Sequence, residues 1–270
     1  MVMDDPDRLE MEEADSSIGI FEPGTWLERD IDWDRMFKIL LKTGAAFALG
    51  MAVTAVTTLI AIVTGLITIS SSLSIIFEPW AFIFISIGQF GFIIIPIRYV
   101  KNKGLHLGAI GIKAKKPAIE IGIGIIAGIG MLALSIILTL ITVETTGEPL
   151  YQDQMLIAHD PLELVGWAVC MIFVIGVTEE ILFRGFLQRR FEIYFSSSKE
   201  KYKDWAVVVT SLIFAVLHLD ILGVPTRFLL GVILGLLAQW RNYSLVSPII
   251  AHGINNFGLV FWNTYYLLPF

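Results

Sequence analysis

The sequence is poor in charge and almost free of cysteine. Asp, Glu, Lys and Arg together make up 16% of its 270 residues, against 56% hydrophobic. Soluble globular domains carry about a quarter charged residues, so a membrane class is the first expectation. The single cysteine, Cys170, lies in the uncharged run WAVCMIFVIGV (167–177), which excludes a disulfide framework and leaves the redox compartment unreadable. Strands of alternating apolar and polar residues are missing, so a closed β-barrel is excluded and helices must satisfy the backbone in lipid. The amino terminus lacks the basic-then-apolar pattern of a cleavable signal peptide. There is no HExxH, no internal repeat and no low-complexity tract. No nucleic-acid partner is expected; the lipid bilayer is.

What is present is a series of long apolar runs, each near the 20 or so residues a helix needs to cross a hydrocarbon layer. They occupy 39–69, 80–97, 118–143, 162–177, 205–219 and 225–240, and the apolar tail from 244 to 270 has room for two short helices. The predicted fold is therefore all-α: a polytopic membrane bundle of about eight transmembrane helices over 36–270. Ahead of it, residues 1–34 hold twelve Asp and Glu against Arg8 and Arg29. That composition predicts an acidic, solvated and disordered tail, with 1–35 as its extent. Gly124 with Gly128, and Gly231 with Gly235, have the spacing that lets membrane helices approach closely.

Lys and Arg are absent from 70–79 and from 144–161, whereas Arg98, Lys101, Lys103, Lys113, Lys115 and Lys116 cluster between the second and third runs. A second cluster, Arg189, Arg190, Lys199, Lys201 and Lys203, follows the fourth. Short basic loops stay cytoplasmic, which predicts an integral protein, of the cell membrane, with a cytoplasmic amino terminus.

The sharpest feature is EEILFRGFL (179–187), three ionisable groups at the end of an uncharged run. Such groups cost roughly 2.5 to 3.5 kcal/mol each at a membrane centre and usually face a protein interior or a polar cavity. Glu180 and Arg184 are four apart, on one helix face and in the better order for an ion pair. Glu179 is turned about 100° away and has no cation at that spacing, so it is free to act. Phe214 and His218 are also four apart, as are His252 and Asn256. A lone histidine on an apolar helix is more often a hydrogen-bonded core group. A carboxylate, two imidazoles and a carboxamide on three helices, however, suffice for hydrolysis: a base for water, groups to hold it, and oxyanion donors.

In this order, EExxxR, FxxxH and HxxxN resemble the CPBP intramembrane proteases, also called the Abi or CAAX protease family. Phe183, Gly185, Leu187 and the run SLVSPIIAH before His252 extend the likeness, which covers 160–263. The resemblance implies an intramembrane endopeptidase acting on membrane-anchored or hydrophobic peptides, prenylated CAAX proteins among them. It makes Glu179 the catalytic base, has His218 help to position the water, and has His252 and Asn256 stabilise the oxyanion. Glu180, Arg184 and Phe214 then support the site. No cofactor is expected on this reading. The alternative is a divalent metal such as zinc held by Glu179, His218 and His252, a known type of ligand set. A catalytically silent scaffold or a transporter would also place charges in membrane helices. Corresponding breaks in two half-repeats, which a transporter would show, are absent.

Helix arithmetic sets one further condition. At 1.5 Å per residue, Glu179 and His218 cannot meet if their helices are straight and of minimal spanning length. Either the segment 192–204 dips inward or the fourth helix continues past Arg190 into the cytoplasm, and the second is expected because GFLQRRFEIYF remains helix-compatible. The basic-loop pattern yields a direct test of orientation: a Ser16→Cys protein should react with an impermeant thiol reagent after cell lysis and not in intact cells. Labelling of intact cells would reverse the topology.

Overall fold

A computed structural model of the chain describes residues 36–70, 74–102, 107–114, 116–147, 156–196 and 198–265. The acidic tail predicted at 1–35 lies outside the described residues. Among those residues are seven helices: α1 Met36–Val63, α2 Ala81–Asn102, α3 Pro117–Thr146, α4 Pro161–Ser196, α5 Tyr202–Val216, α6 Val224–Trp240 and α7 Val246–Tyr265. Helices α1 to α4 are long and apolar enough to cross a membrane. The all-α membrane bundle stands, with seven helices among the described residues rather than a confirmed eight. The difference lies in the tail, where 246–265 forms one helix rather than two. After Pro248 near its start, no proline interrupts it, and its 20 residues extend about 30 Å.

The first apolar run ends earlier than its hydropathy suggests. Gly65, at φ 81°, closes α1, and the β-branched Ile67–Ile69 pairs antiparallel with Ile75–Phe77, Ile67 opposite Phe77. Pro161 opens α4, where the Asp160 carboxylate accepts a hydrogen bond from the Glu163 N–H at 2.8 Å. The buried Glu163 carboxylate accepts from the backbone N–H groups of Trp80 and His159 at 3.0 and 2.7 Å, tying the starts of α2 and α4 together.

Helix α4 is the axis of the bundle. Its 36 residues extend about 54 Å, well beyond the roughly 30 Å of a hydrocarbon core, so it continues past Arg190 as expected. Its second half is sheathed on all sides. Leu182, Phe183, Leu187 and Phe191 pack with Ile39 and Ala46 of α1, Phe92 of α2 and Phe214 of α5. Ile181, Phe186 and Ile193 pack with Val100, Ile110, Ala238 and Leu245. Arg189 and Arg190, counted among loop charges from sequence, are instead buried on this helix. Arg189 stacks on the Tyr243 ring at 3.5 Å and Arg190 lies 4.9 Å from the Phe186 ring. The basic end is marked by exposed Trp205 and Trp240, with Lys199 and Arg241 over their rings, as interfacial aromatics are.

Both glycine pairs pack helices. Gly124 and Gly128 bring α3 against α7, and Gly231 and Gly235 bring α6 against α5 and α4. A side chain at Gly128 would meet the Ala251 carbonyl oxygen at 2.9 Å and Ile254 Cβ at 2.8 Å, whereas Gly130, on the same helix, faces open space. Gly128→Val should therefore cost about 1–3 kcal/mol by overpacking, read as a fall in thermal midpoint in detergent. Gly130→Val should leave the midpoint nearly unchanged.

Candidate active site

The site forms where α4 changes its winding. Val177–Glu180 is ordinary α-helix, but Met171–Gly176 before it and Ile181–Gln188 after it are π-wound. Widened turns of this kind often mark functional sites, because they displace side chains from the α-helical register. A glycine sits in each wide stretch. Gly176 backs onto the Ile249 carbonyl of α7, and Gly185 onto the Ile110 carbonyl, so neighbouring backbones come close on both sides.

Glu180 is fully buried, and its Oε1 receives two hydrogen bonds: one from Arg184 Nη1 and one from His252 Nδ1, each at 2.8 Å or less (2.7 and 2.8 Å). The predicted ion pair thus forms, and it does more than expected by fixing a histidine of α7. Arg184 Nη2 also donates to the Gly231 carbonyl of α6 at 3.3 Å, and its guanidinium lies 4.7 Å from the Phe214 ring. One buried group of charges joins α4, α6 and α7.

Glu179 points elsewhere. It lines a cavity of about 550 Å³ together with His218, His252, Asn256 and Phe214. Its Oε2 lies 3.8 Å from His252 Nε2 and accepts no hydrogen bond from the described residues. His218 Nδ1 lies 2.8 Å from the Phe214 carbonyl oxygen, an arrangement that requires the proton on Nδ1 and leaves Nε2 as an acceptor. Phe214 is the packing centre: its ring is 4.8 Å from that of His218, 5.9 Å from that of His252 and 5.1 Å from that of Phe183. All seven residues singled out from sequence therefore gather here, four of them lining the cavity beside Phe214 and two holding the wall behind it.

The helix lengths make this meeting possible. Helix α5 is antiparallel to the second half of α4, and its 15 residues end at Val216, so the turn at 217–223 sits at the level of Glu179. Leu219 in that turn has φ 56°, a left-handed conformation that is costly for a branched side chain and lies one residue from His218. In the same turn Asp220 pairs with Arg227 at 2.6 Å.

Sequence reasoning missed several lining residues. Gln89 projects from the tightened 3₁₀ turn Ile87–Phe90 of α2, and Thr178 lies 3.5 Å from its Oε1. Ser135 of α3 donates to Asn255 Oδ1 at 2.8 Å, and Asn255 Nδ2 donates to Asn256 Oδ1 at 3.1 Å. Asn255 was visible beside Asn256 in HGINN, but a partner 120 residues away was not. Among the described residues no three His, Cys, Asp or Glu side chains group as ligands for a metal ion. His252 Nδ1 is taken by Glu180 and His218 Nδ1 by the Phe214 carbonyl, so each imidazole keeps its Nε2 available.

Glu179 thus faces one cavity together with His218, His252 and Asn256. Residues 161–258 match the sequence model of a family described as type II CAAX prenyl endopeptidase, Rce1-like. The matched stretch runs from the start of α4 through all three motifs, so the resemblance to CPBP proteases holds over the segment that builds the site. No curated protein and no solved structure matches the chain.

The buried pair predicts a separation of stability from activity. Arg184→Ala strands a buried carboxylate and should cost about 3–5 kcal/mol, as Glu180→Ala should by stranding the guanidinium. The double change should cost less than either alone in a thermal melt, because no lone charge is left. It should still be inactive in a peptide cleavage assay, because His252 loses the acceptor that orients it.

Proposed function

We propose that this protein is an intramembrane endopeptidase that hydrolyses peptide bonds of membrane-associated substrates, CAAX-type prenylated proteins among the candidates, with a water activated by Glu179. The observation that carries this reading is the division of labour between neighbours. Both carboxylates keep one oxygen without a hydrogen-bond partner, but Glu180 is fully buried with its Oε1 held by Arg184 and His252, whereas Glu179 lines the shared cavity. The apolar part of the cavity wall, Met131, Ile175, Leu230 and Leu234 among others, suits a hydrophobic peptide.

In the proposed reaction Glu179 takes a proton from the water as its oxygen attacks the scissile carbonyl. His218 Nε2 accepts the water's other proton as a hydrogen bond and so aims the attacking lone pair. The carbonyl oxygen becomes an oxyanion, to which the Asn256 amide donates; His252, when protonated at Nε2 and held by Glu180 at Nδ1, donates as well. Glu179 then passes its proton to the departing nitrogen and the C–N bond breaks. No resident metal is needed for any of these transfers. The basic end of the bundle is assigned to the cytoplasm, with the amino terminus on the same side.

The test is a cleavage assay on membrane-anchored peptides with protein reconstituted in liposomes. Glu179→Gln keeps the shape of the side chain and removes the base, so turnover should fall by about 10²-fold or more while the thermal midpoint barely moves. A chelator should leave wild-type turnover intact. Substantial turnover by Glu179→Gln would show that Glu179 is not the base, and loss of activity to a chelator, restored by zinc, would replace this mechanism with a metal-dependent one.

A further inference from the structure

We infer that Asn255 is a positioning residue that sets which end of the Asn256 carboxamide faces the cavity. The inference rests on the proposed role of Asn256 as an oxyanion donor and extends it. A carboxamide is nearly symmetric in shape but opposite in function at its two ends: its NH₂ stabilises a developing oxyanion, and its oxygen would repel one. Something must break that symmetry. Asn256 is half-buried, and its own packing does not distinguish an oxygen from a nitrogen.

The chain of donors begins on α3. The Ser135 hydroxyl is buried, and its one hydrogen bond is to Asn255 Oδ1, at 2.8 Å. A buried hydroxyl proton needs an acceptor, so this contact fixes the Asn255 oxygen toward α3. The Asn255 NH₂ is thereby turned toward its neighbour and donates to Asn256 Oδ1 at 3.1 Å. With its oxygen occupied, Asn256 can present only NH₂ to the cavity. That group has no partner among the described residues, and Glu179, His218 and His252 line the same space. Ser135 and Asn255 are each 2% exposed, so bulk water does not compete for either hydrogen bond. The close α3–α7 contact at Gly124 and Gly128 holds Ser135 within reach of Asn255.

Asn255→Asp provides the sharpest test. Assayed at alkaline pH, where the buried carboxyl is ionised, the Asp side chain still accepts from Ser135 but has nothing to donate, so Asn256 should rotate its NH₂ toward the new carboxylate and its oxygen into the cavity. In the liposome assay kcat should fall about 10- to 100-fold, with KM within about twofold, since the loss falls on the transition state. Asn255→Leu, which specifies neither orientation, should lose less than Asn255→Asp, and Ser135→Ala, the mildest change to packing, should lose least. In an Asn256→Leu protein the Asn255→Asp change should lower kcat no further. Unchanged kcat in Asn255→Asp and Ser135→Ala, or an undiminished loss on the Asn256→Leu background, would overturn the inference. A second readout is independent of cleavage: in protein carrying ¹⁵N-asparagine, the Asn256 NH₂ protons should exchange readily with water and become protected in Asn255→Asp. Protection already present in the unsubstituted protein would refute the relay whether or not the protein is a peptidase. An absence of cleavage alongside the expected exchange pattern would refute the proposed function and leave the relay standing.

Discussion

A carboxylate and a guanidinium buried together at the centre of a helix bundle are the constraint on which this structure depends. Removing such groups from water costs several kcal/mol per ion, which their attraction offsets only with good geometry and further hydrogen bonds. Glu180 and Arg184 obtain these from outside their own helix, through His252 Nδ1 on α7 and the Gly231 carbonyl on α6. The requirement propagates outward. Gly231 lets α6 lie close to α5, where an added Cβ would stand 3.0 Å from Ser211 Cβ, and Gly235 presents its carbonyl to Gln188, at 3.2 Å. One electrostatic demand on α4 thus sets the approach of two other helices and orients a histidine of the site.

The unequal helix lengths follow from the same placement. A site halfway along a 36-residue helix lies deep in the bundle, and long neighbours on every side would fill the space in front of Glu179. Helices α5 and α6, at 15 and 17 residues, stop at that depth. Their turn brings His218 to the cavity and leaves the room above it bounded by α3, where Thr139, Thr142 and Thr146 line the wall. The cavity is therefore a consequence of a short hairpin packed against a long helix. The left-handed Leu219 follows the end of α5 directly after His218.

Much of this could be read from the sequence because the signals were local. Pairs four residues apart project from one face of a helix, so Glu180 with Arg184, Phe214 with His218 and His252 with Asn256 announced themselves, and the length of α4 followed from the need to bring Glu179 and His218 together. What escaped was of two kinds. Contacts between residues far apart in sequence, such as Ser135 with Asn255 or His252 with Glu180, leave no periodic trace. Departures from regular winding leave little more: the π-wound stretches of α4 and the 3₁₀ turn that presents Gln89 depend on which backbones press against Gly176, Gly185, Gly88 and Gly91. Hydropathy also misjudged ends. It carried the first span on to Ile69, where a strand takes over after Gly65, and divided the tail, where nothing after Pro248 breaks the helix.

Two adjacent carboxylates can have different chemistry only if the protein gives them different surroundings, and a single α-turn does so here. The rotation of about 100° between successive residues sends Glu180 into the helix interface and Glu179 to the cavity. Glu180 Oε1 is held by Arg184 and His252, and the side chain is fully buried away from the cavity. Glu179, without a cation on its own helix face, lines the cavity instead, with His252 Nε2 3.8 Å from its Oε2. Four residues of ordinary α-helix between two π-wound stretches preserve that angle where a wider turn would blur it. Regular winding is kept at Val177–Glu180, where the separation of the two carboxylates requires it, and relaxed on either side, where neighbouring helices must approach.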